Sequence, residues 1–246
     1  MQVYREIPAI TNQARRRAAE IVGVVSVVAE WTVALHKERA EKIIEETQTP
    51  FVLDAGTGMY LNAIILDIPL TPKVERETRT LAQSITAGAP NPRRASRAKE
   101  LELAGASPRG SIWGGDLRYR TSIVYLRPVR ERLDTAIARR SAKIVRDGVE
   151  EAERLREMAR AGASINASVA DSIGVRELLL YLEGKLSASE AEERISARTH
   201  RLARRQSRWF DKLARTLHRR ADIQVLENSA ALDLDVLNCM HDRIGA

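Results

Sequence analysis

The chain has 246 residues, of which 44% are hydrophobic and 30% charged, a composition that supports a sizeable core and excludes a disordered chain. Lysine and arginine outnumber aspartate and glutamate by 40 to 33, and this net charge of +7 favours nucleic acid, a phosphorylated ligand or an anionic membrane as partner. The single cysteine, Cys239, excludes an intramolecular disulfide and a zinc cluster, and the longest apolar run, 21–29, is too short to span a bilayer. We therefore expect a cytoplasmic protein without a membrane segment.

The first part of the chain alternates between β-prone and helical patterns. Residues 1–10 predict a strand followed by a turn, and the valine-rich stretch 21–28 is also β-prone. Residues 31–47 carry apolar side chains at the spacing of a helix. A helix between apolar strands indicates an α/β unit.

A short glycine turn follows the next β-prone segment. The run 51–54 predicts a buried strand, the turn lies at 55–58, and a helix is predicted from Met59. Unpaired N–H groups point out of the first turn of a helix, so the succession of strand, glycine turn and helix predicts an anion site.

The remainder of the chain is predicted to be mainly helical. Residues 71–118 indicate a separate helical insertion, which divides the chain into a core formed by 1–70 and 119–246 and the insertion itself. The stretch 119–128 is β-rich and stops at Pro128. Glycine and periodicity signals then predict helices over 129–147, 149–161, 173–183 and 188–217.

The last of these predicted helices contains an unusual packing face. Its apolar stripe includes the polar residues Thr199 and Gln206, and a neighbouring stripe consists of arginines 198, 201, 205 and 208. A core-facing glutamine without a partner costs about 1–3 kcal/mol. Two interpretations remain open: the helix borders a polar pocket and presents its arginines to a polyanion, or Gln206 binds a neighbouring backbone carbonyl and the arginines form a solvated face.

Six ordered segments resemble the signature blocks of the bacterial tRNA dimethylallyltransferase family, also called tRNA isopentenyltransferases. The segments are MQVYRE, DAGTGMYLNAII, NPRRASRAKELELAG, RERLDTAIARRSAKIVRDGVEEAERL, DSIGVRELLLYLEG and THRLARRQSRWF. They extend over nearly the whole chain. The resemblance implies an α/β fold with a parallel-sheet core like that of P-loop NTPases, a helical insertion domain at 71–118 that binds tRNA, and a helical C-terminal part.

The resemblance also implies a reaction. Members of this family transfer the dimethylallyl group of dimethylallyl diphosphate to N6 of the adenosine just 3′ of the anticodon, releasing diphosphate with Mg²⁺. The expected partners are therefore dimethylallyl diphosphate and a tRNA anticodon stem-loop, and we expect a monomer. The metal ligands are not identifiable from the sequence.

The diphosphate site is carried over from the family to Gly56, Thr57, Gly58 and Arg140. The hydroxyl of Thr57 matches the group that donates to the leaving diphosphate, where it would stabilise charge that grows in the transition state. A guanidinium at Arg140 suits bidentate phosphate binding. The alternatives are that Thr57 caps the helix that follows, that Arg139 replaces Arg140 in this role, and that Arg140 is a solvated surface arginine.

The tRNA contacts implied by the resemblance lie in three parts of the chain. The resemblance places Gln2 and Tyr4 beside the target adenine, which is flipped out of its stack for the reaction. The other predicted contacts are Arg79, Arg93, Arg94 and Arg97 in the insertion, and Ile173, Gly174, Arg176, Arg204, Arg205, Gln206, Arg208 and Trp209 in the C-terminal helices. Neutralising backbone phosphates with so many arginines predicts affinity that weakens steeply with salt.

The family's opening strand, its phosphate-binding loop and an acidic general base have no match in the sequence, and we expect them upstream of Met1. On this basis the 246-residue form is expected to lack activity. Two explanations stay open: the start is truncated, or the chain is a non-catalytic paralogue that binds RNA. A nucleoside-phosphate kinase of related fold is a third, more remote hypothesis.

Overall fold

The computed structural model describes residues 1–13, 19–47, 50–68, 70, 74–90, 92–106 and 110–227, without the side chains of 92, 93 and 227. The chain divides into two compact units. The first comprises Met1–Tyr60 and Thr121–Ala246, and the second comprises Leu61–Arg120.

The first unit contains most of the helices and the paired strands. Its helices are α1 (Pro8–Thr11), α2 (Val33–Glu46), α6 (Arg130–Asp147), α7 (Val149–Arg160), α8 (Ala167–Ala170), α9 (Val175–Leu182) and α10 (Ala188–Leu217), and its strands are β1 (Ser122–Arg127) and β2 (Asp222–Glu227). Helix α3 (Gly58–Ile65) begins in this unit and continues into the second, which contains α4 (Arg76–Ile85) and α5 (Pro92–Leu103).

The described sheet is a parallel pair. Strand β1 pairs with β2 in a register that aligns Ser122 with Asp222. Parallel strands require a long crossover connection, which the five helices α6 to α10 provide. A parallel bridge also joins Tyr4 to Val25. Parallel pairing with helical crossovers confirms the predicted α/β class.

Three segments predicted to be β-prone contain no strand. Residues 51–54 are not a strand, and Val52 is 73% exposed. No strand in the described residues pairs with this run, and a strand is stabilised only by its neighbours. Segments 1–10 and 21–28 contribute only the bridge between Tyr4 and Val25, and the turn predicted within 1–10 is instead helix α1, which Pro8 begins. Strand β2 was not predicted from the sequence.

The long helices begin and end close to their predicted limits because local signals define them. Ser187 caps α10, and its hydroxyl accepts from the backbone N–H of Glu190, whose carboxylate accepts from Ser187 N–H in return. Thr32 caps α2 through its hydroxyl alone, which accepts from Leu35 N–H at 3.2 Å. Helix α6 ends at Gly148, as predicted.

The core of the first unit combines the N-terminal segment with the C-terminal helices. Ile7 and Val27 are fully buried in one cluster with side chains of α9 and α10, among them Val175, Leu178 and Ile195. Residues from opposite ends of the sequence therefore form one core. None of the helices in the described part of the chain is long and apolar enough to cross a membrane.

In the second unit, α4 and α5 pack against each other. Ala82 of α4 and Leu101 of α5 are buried. Asn62 is fully buried, and its Nδ2 donates to the carbonyl oxygen of Ile112 at 3.0 Å. The hydrogen bond satisfies a polar group that would otherwise be costly to bury.

Candidate functional site

The glycine turn lies directly before α3 and leaves its central side chain in solvent. Thr57 is exposed, and its carbonyl oxygen accepts from Tyr60 N–H at 3.1 Å, which starts the helix. Among the described residues, none forms a hydrogen bond with the Thr57 hydroxyl. The alternative in which this hydroxyl caps α3 is therefore not observed, and the group is free to donate to a ligand.

Helix α10 holds the turn on both sides of Thr57. Nε2 of Gln206 donates to the carbonyl oxygen of Gly56 at 2.6 Å. A β-carbon added at Gly58 would overlap the indole ring of Trp209, at 2.5 Å from Cγ. Gln206 thus binds a backbone carbonyl. This contact is what the second of the two interpretations in the sequence analysis predicted.

A second set of contacts holds the first turn of α3 from α2. The rings of Tyr60 and His36 pack with their centroids 4.7 Å apart. Trp31 Nε1 donates to His36 Nδ1 at 3.3 Å. Because indole only donates, His36 is neutral here with its proton on Nε2. Burial lowers the pKa of His36, and burial raises the pKa of Tyr60, so both side chains favour their uncharged forms.

The sequence predicts that His36 lies in the helix at 31–47, but it indicates no functional role for His36, Trp31 or Tyr60. The sequence contained a weak signal for Tyr60, because an aromatic side chain two positions after the glycine turn is available to pack against a neighbouring helix at the start of α3. The contact with His36 joins segments far apart in the chain, which periodicity does not report.

The guanidinium of Arg140 lies against α1. Its Nη1 donates to the carbonyl oxygen of Ala9 at 3.2 Å, and its Nη2 donates to that of Ile10. The backbone N–H groups of the same two residues donate to the carboxylate of Glu151, at 2.6 and 2.9 Å. Burial raises the pKa of Glu151, against the opposing effect of these hydrogen bonds. The assignment of Arg140 to diphosphate stays a prediction, and a diphosphate would compete with two carbonyls for it.

The middle of α10 presents a basic face. Arg201, Arg204, Arg205 and Arg208 are exposed. Within the described residues, no carboxylate pairs with any of these arginines, and the one side-chain hydrogen bond in the set runs from Arg208 Nε to the carbonyl oxygen of Arg204 at 3.3 Å. Uncompensated arginines on one helix face are typical of a surface that binds phosphates.

The predicted adenine contacts Gln2 and Tyr4 belong to the N-terminal segment. Gln2 is half-buried, and its Nε2 donates to the carbonyl oxygen of Thr11 at 3.0 Å. Tyr4 is 2% exposed and contributes to the core. The carbonyl oxygen of Tyr4 accepts from Gln13 Nε2 at 2.6 Å. The structure gives Tyr4 a packing role, and its contact with tRNA stays a prediction.

The predicted contacts around the start of α9 differ in exposure. Gly174 is buried with φ of 98°, where a β-carbon would lie 2.9 Å from methyl groups of Ile10 and Ile144. Ile173 is half-buried against the core. Arg176 is exposed, and its Nη1 donates to Asp171 at 3.3 Å. Of these, Arg176 alone presents a charged group to solvent.

The insertion arginines lie on two helices of the second unit. Arg79 of α4 is half-buried, and its Nη2 donates to the carbonyl oxygen of Val74 at 3.5 Å. Arg97 of α5 donates to Glu100 at 2.8 Å. Arg94 is exposed, and the side chain of Arg93 lies outside the described residues. Their contact with tRNA stays a prediction.

In the described part of the chain, no group of three or more histidine, cysteine, aspartate or glutamate side chains could hold a metal ion. Mg²⁺ is usually held by one or two carboxylates together with substrate phosphates, so the ligands of the expected Mg²⁺ stay unassigned.

Comparison with known proteins relates the chain to one group of enzymes. A family model described as IPP transferase matches residues 2–213. A tRNA dimethylallyltransferase of Rubrobacter xylanophilus is 60% identical over all of this chain and 85% of that protein. A tRNA dimethylallyltransferase of Clavibacter sepedonicus is 29% identical over 87% of this chain and 79% of that protein.

Solved structures show the same fold. The tRNA delta(2)-isopentenylpyrophosphate transferase of Staphylococcus epidermidis superposes with a TM-score of 0.64 at 19% identity, covering all of this chain and 86% of that one. The tRNA isopentenylpyrophosphate transferase of Bacillus halodurans gives 0.65 at 21% identity, covering 99% and 84%. These likenesses confirm the predicted α/β, P-loop-like fold class.

Proposed function

Because the chain belongs to the IPP transferase family, we propose that it transfers the dimethylallyl group of dimethylallyl diphosphate to N6 of the adenosine just 3′ of the anticodon in tRNA. The observation that carries this proposal is the 60% identity with a tRNA dimethylallyltransferase over the whole chain. The exposed Thr57 hydroxyl beside α3 and the basic face of α10 supply chemistry that fits both substrates.

In the proposed reaction the N6 lone pair forms a bond with C1 of the dimethylallyl group. The C1–O bond breaks, its electron pair leaves on the diphosphate, and N6 releases one proton to water. Thr57 donates its hydroxyl proton in a hydrogen bond to the leaving diphosphate oxygen, where negative charge grows in the transition state. The N–H groups at the start of α3 favour the same anion.

The adenine must leave its stack before N6 can reach the prenyl carbon. Extruding a base costs a few kcal/mol, which contacts between protein and RNA must offset. The arginines of α10 supply sequence-independent contacts to phosphate, and anticodon loops have bases that are only partly stacked. We place the adenine near the turn that carries Thr57.

Further details of the prediction belong to this proposal. Mg²⁺ would neutralise charge on the diphosphate when bound. We propose that Arg140 binds the diphosphate, which would compete with the carbonyl oxygens of Ala9 and Ile10 for its guanidinium. We also propose that the protein acts as a monomer in the cytoplasm. Light scattering of the purified chain with and without tRNA tests the oligomeric state.

The test is incubation of the purified chain with labelled dimethylallyl diphosphate and an anticodon stem-loop, followed by digestion to nucleosides. We expect label on the adenosine next to the anticodon, against the expectation of inactivity that the family segments without a match in the sequence suggested, because the chain is 60% identical to a tRNA dimethylallyltransferase over its whole length. A matched stem-loop with guanosine at that position has no N6 amine and should remain unlabelled. Salt-sensitive binding without transfer would overturn the proposal in favour of a non-catalytic RNA-binding protein.

A further inference from the structure

Two side chains of α10 contact the residues on either side of Thr57. Gln206 reaches the carbonyl oxygen of Gly56 and Trp209 covers Gly58. Gln206 and Trp209 lie three positions apart, on one face of the helix. Thr57 itself remains exposed between the two contacts. The arrangement fixes the backbone of the turn and leaves its hydroxyl available.

The two glycines are explained by the approach of α10. Neither Gly56 nor Gly58 has a positive φ, so their backbone conformation does not require glycine. A β-carbon at Gly58 would overlap Trp209, and one at Gly56 would lie 3.1 Å from Gln206 Nε2. Glycine on both sides of Thr57 therefore allows the helix to come into direct contact with the turn.

We propose that Gln206 and Trp209 are positioning residues for the transfer reaction: they hold Thr57 where its hydroxyl meets the leaving diphosphate. This role differs from the direct tRNA contact that the resemblance implies for them, and it rests on the proposed function. The arginines at 204, 205 and 208 alternate with these two residues in the sequence. One helix segment therefore binds the polyanion with one face and fixes the turn with another.

Positioning predicts a particular kinetic signature. A hydrogen-bond donor displaced by a fraction of an ångström loses transition-state stabilisation without changing the affinity for the nucleic acid. The residue that fixes this donor should therefore affect kcat. A residue that contacts tRNA should instead affect the dissociation constant of tRNA and its dependence on salt.

The first experiment compares Gln206→Met with Arg205→Ala in the full chain. Methionine keeps the length, neutrality and helix propensity of glutamine and removes the amide N–H. For Gln206→Met we expect kcat for prenyl transfer to fall about tenfold, with the dissociation constant of tRNA changed less than about twofold. For Arg205→Ala we expect the opposite split, with the dissociation constant of tRNA raised by a larger factor than kcat falls. Weaker tRNA binding by Gln206→Met at unchanged kcat would overturn positioning in favour of direct contact, and an unchanged kcat with unchanged binding would overturn it as well.

A second experiment tests the contact independently of catalysis. Gly58→Ala introduces the methyl group that Trp209 excludes, so it should lower the midpoint of urea unfolding in the parent chain. In the Trp209→Ala background, the same substitution should lower the midpoint much less. Equal shifts in both backgrounds would overturn the packing of Trp209 on the turn, whatever the activity. If the parent chain shows no transfer, the proposed function fails while this cycle still reports on the contact.

Discussion

Arg198 and the arginines of 201–208 lie on one helix, α10, and use their charge in opposite ways. Arg198 donates to Glu177 at 2.6 Å and to the carbonyl oxygen of Asp171 at 2.5 Å. In the following segment, 201–208, the arginines are exposed and pair with none of the described carboxylates. Partners in the fold, and not composition, therefore determine whether an arginine stabilises the protein or is left to bind a ligand.

The reason lies in burial. The Glu177 side chain is 3% exposed, so its charge is compatible with the fold only because Arg198 and Gly174 N–H bind it. The exposed arginines keep their hydration and have no such requirement. Their uncompensated charge therefore remains available to attract phosphate groups.

The largest expected effect comes from removing the pair of Arg198 with Glu177. Arg198→Ala leaves the buried carboxylate of Glu177 without its cation, and we expect the free energy of unfolding to fall by about 3 kcal/mol. Urea denaturation measures this loss. The control, Arg205→Ala in the unpaired segment 201–208, should change the free energy of unfolding by less than about 0.5 kcal/mol. Equal losses in the two variants would remove the distinction between Arg198 and the arginines of 201–208.

The start of α9 contributes to the same pair, because it supplies Glu177 to Arg198. Gly174→Ala must place a methyl group 2.9 Å from Ile10 and Ile144 at a positive φ, and we expect a loss of about 2 kcal/mol. Gly184 also has a positive φ but has open space around it, so Gly184→Ala should cost only about 1 kcal/mol. Thermal or urea unfolding of the two variants tests this. A larger loss at Gly184 would contradict the packing described for α9.

The unpaired segment should respond in binding and not in stability. Replacing Arg204 and Arg205 together with alanine removes the cations that would neutralise up to two phosphate groups. The slope of log affinity for tRNA against log salt should then decrease in magnitude by about 0.7 to 0.9 for each phosphate group that is no longer neutralised. Titrations at several salt concentrations measure the slope. An unchanged slope would show that these arginines form a solvated face and bind no phosphate.

The smallest expected effect concerns pH at the other side of the glycine turn. Burial, with a smaller contribution from the chain's amino terminus, lowers the pKa of His36 below its usual 6.5. Folding favours the neutral form of His36. The stability that depends on the neutral imidazole is therefore complete above about pH 6.5 and is lost as the pH falls toward the lowered pKa of the folded protein. Unfolding of the parent and of His36→Phe across this range should show a steeper acid loss in the parent. Parallel curves would contradict a buried neutral His36.

The helical part of the fold was predictable because its signals are local. Ser187 and Glu190 define the start of α10, Gly148 ends α6, and the apolar periodicity continues between such limits. The strands were harder. Residues 51–54 have β-prone side chains but pair with no strand among the described residues. Strand β2 pairs with a strand about 100 residues away, at a distance over which sequence periodicity gives no information.

The candidate site was predictable in part. The glycines around Thr57 predicted an anion site, and Gln206 was an unexpected polar residue on a packing face. The structure contains the interpretation in which Gln206 binds a neighbouring backbone carbonyl. The packing of Trp209 on Gly58 and the contact between His36 and Tyr60 were not predictable. Each joins segments that are distant in sequence, so the contacts exist only once the helices have packed.

A single-turnover comparison of Thr57→Ser and Thr57→Val isolates the role of the Thr57 hydroxyl in the transfer. Serine keeps the donor, and valine keeps the shape without it. With saturating dimethylallyl diphosphate and stem-loop RNA, we expect the serine variant to retain a rate close to that of the parent and the valine variant to be slower by about a hundredfold. Equal rates for the two variants would contradict a role for this hydroxyl in the transfer.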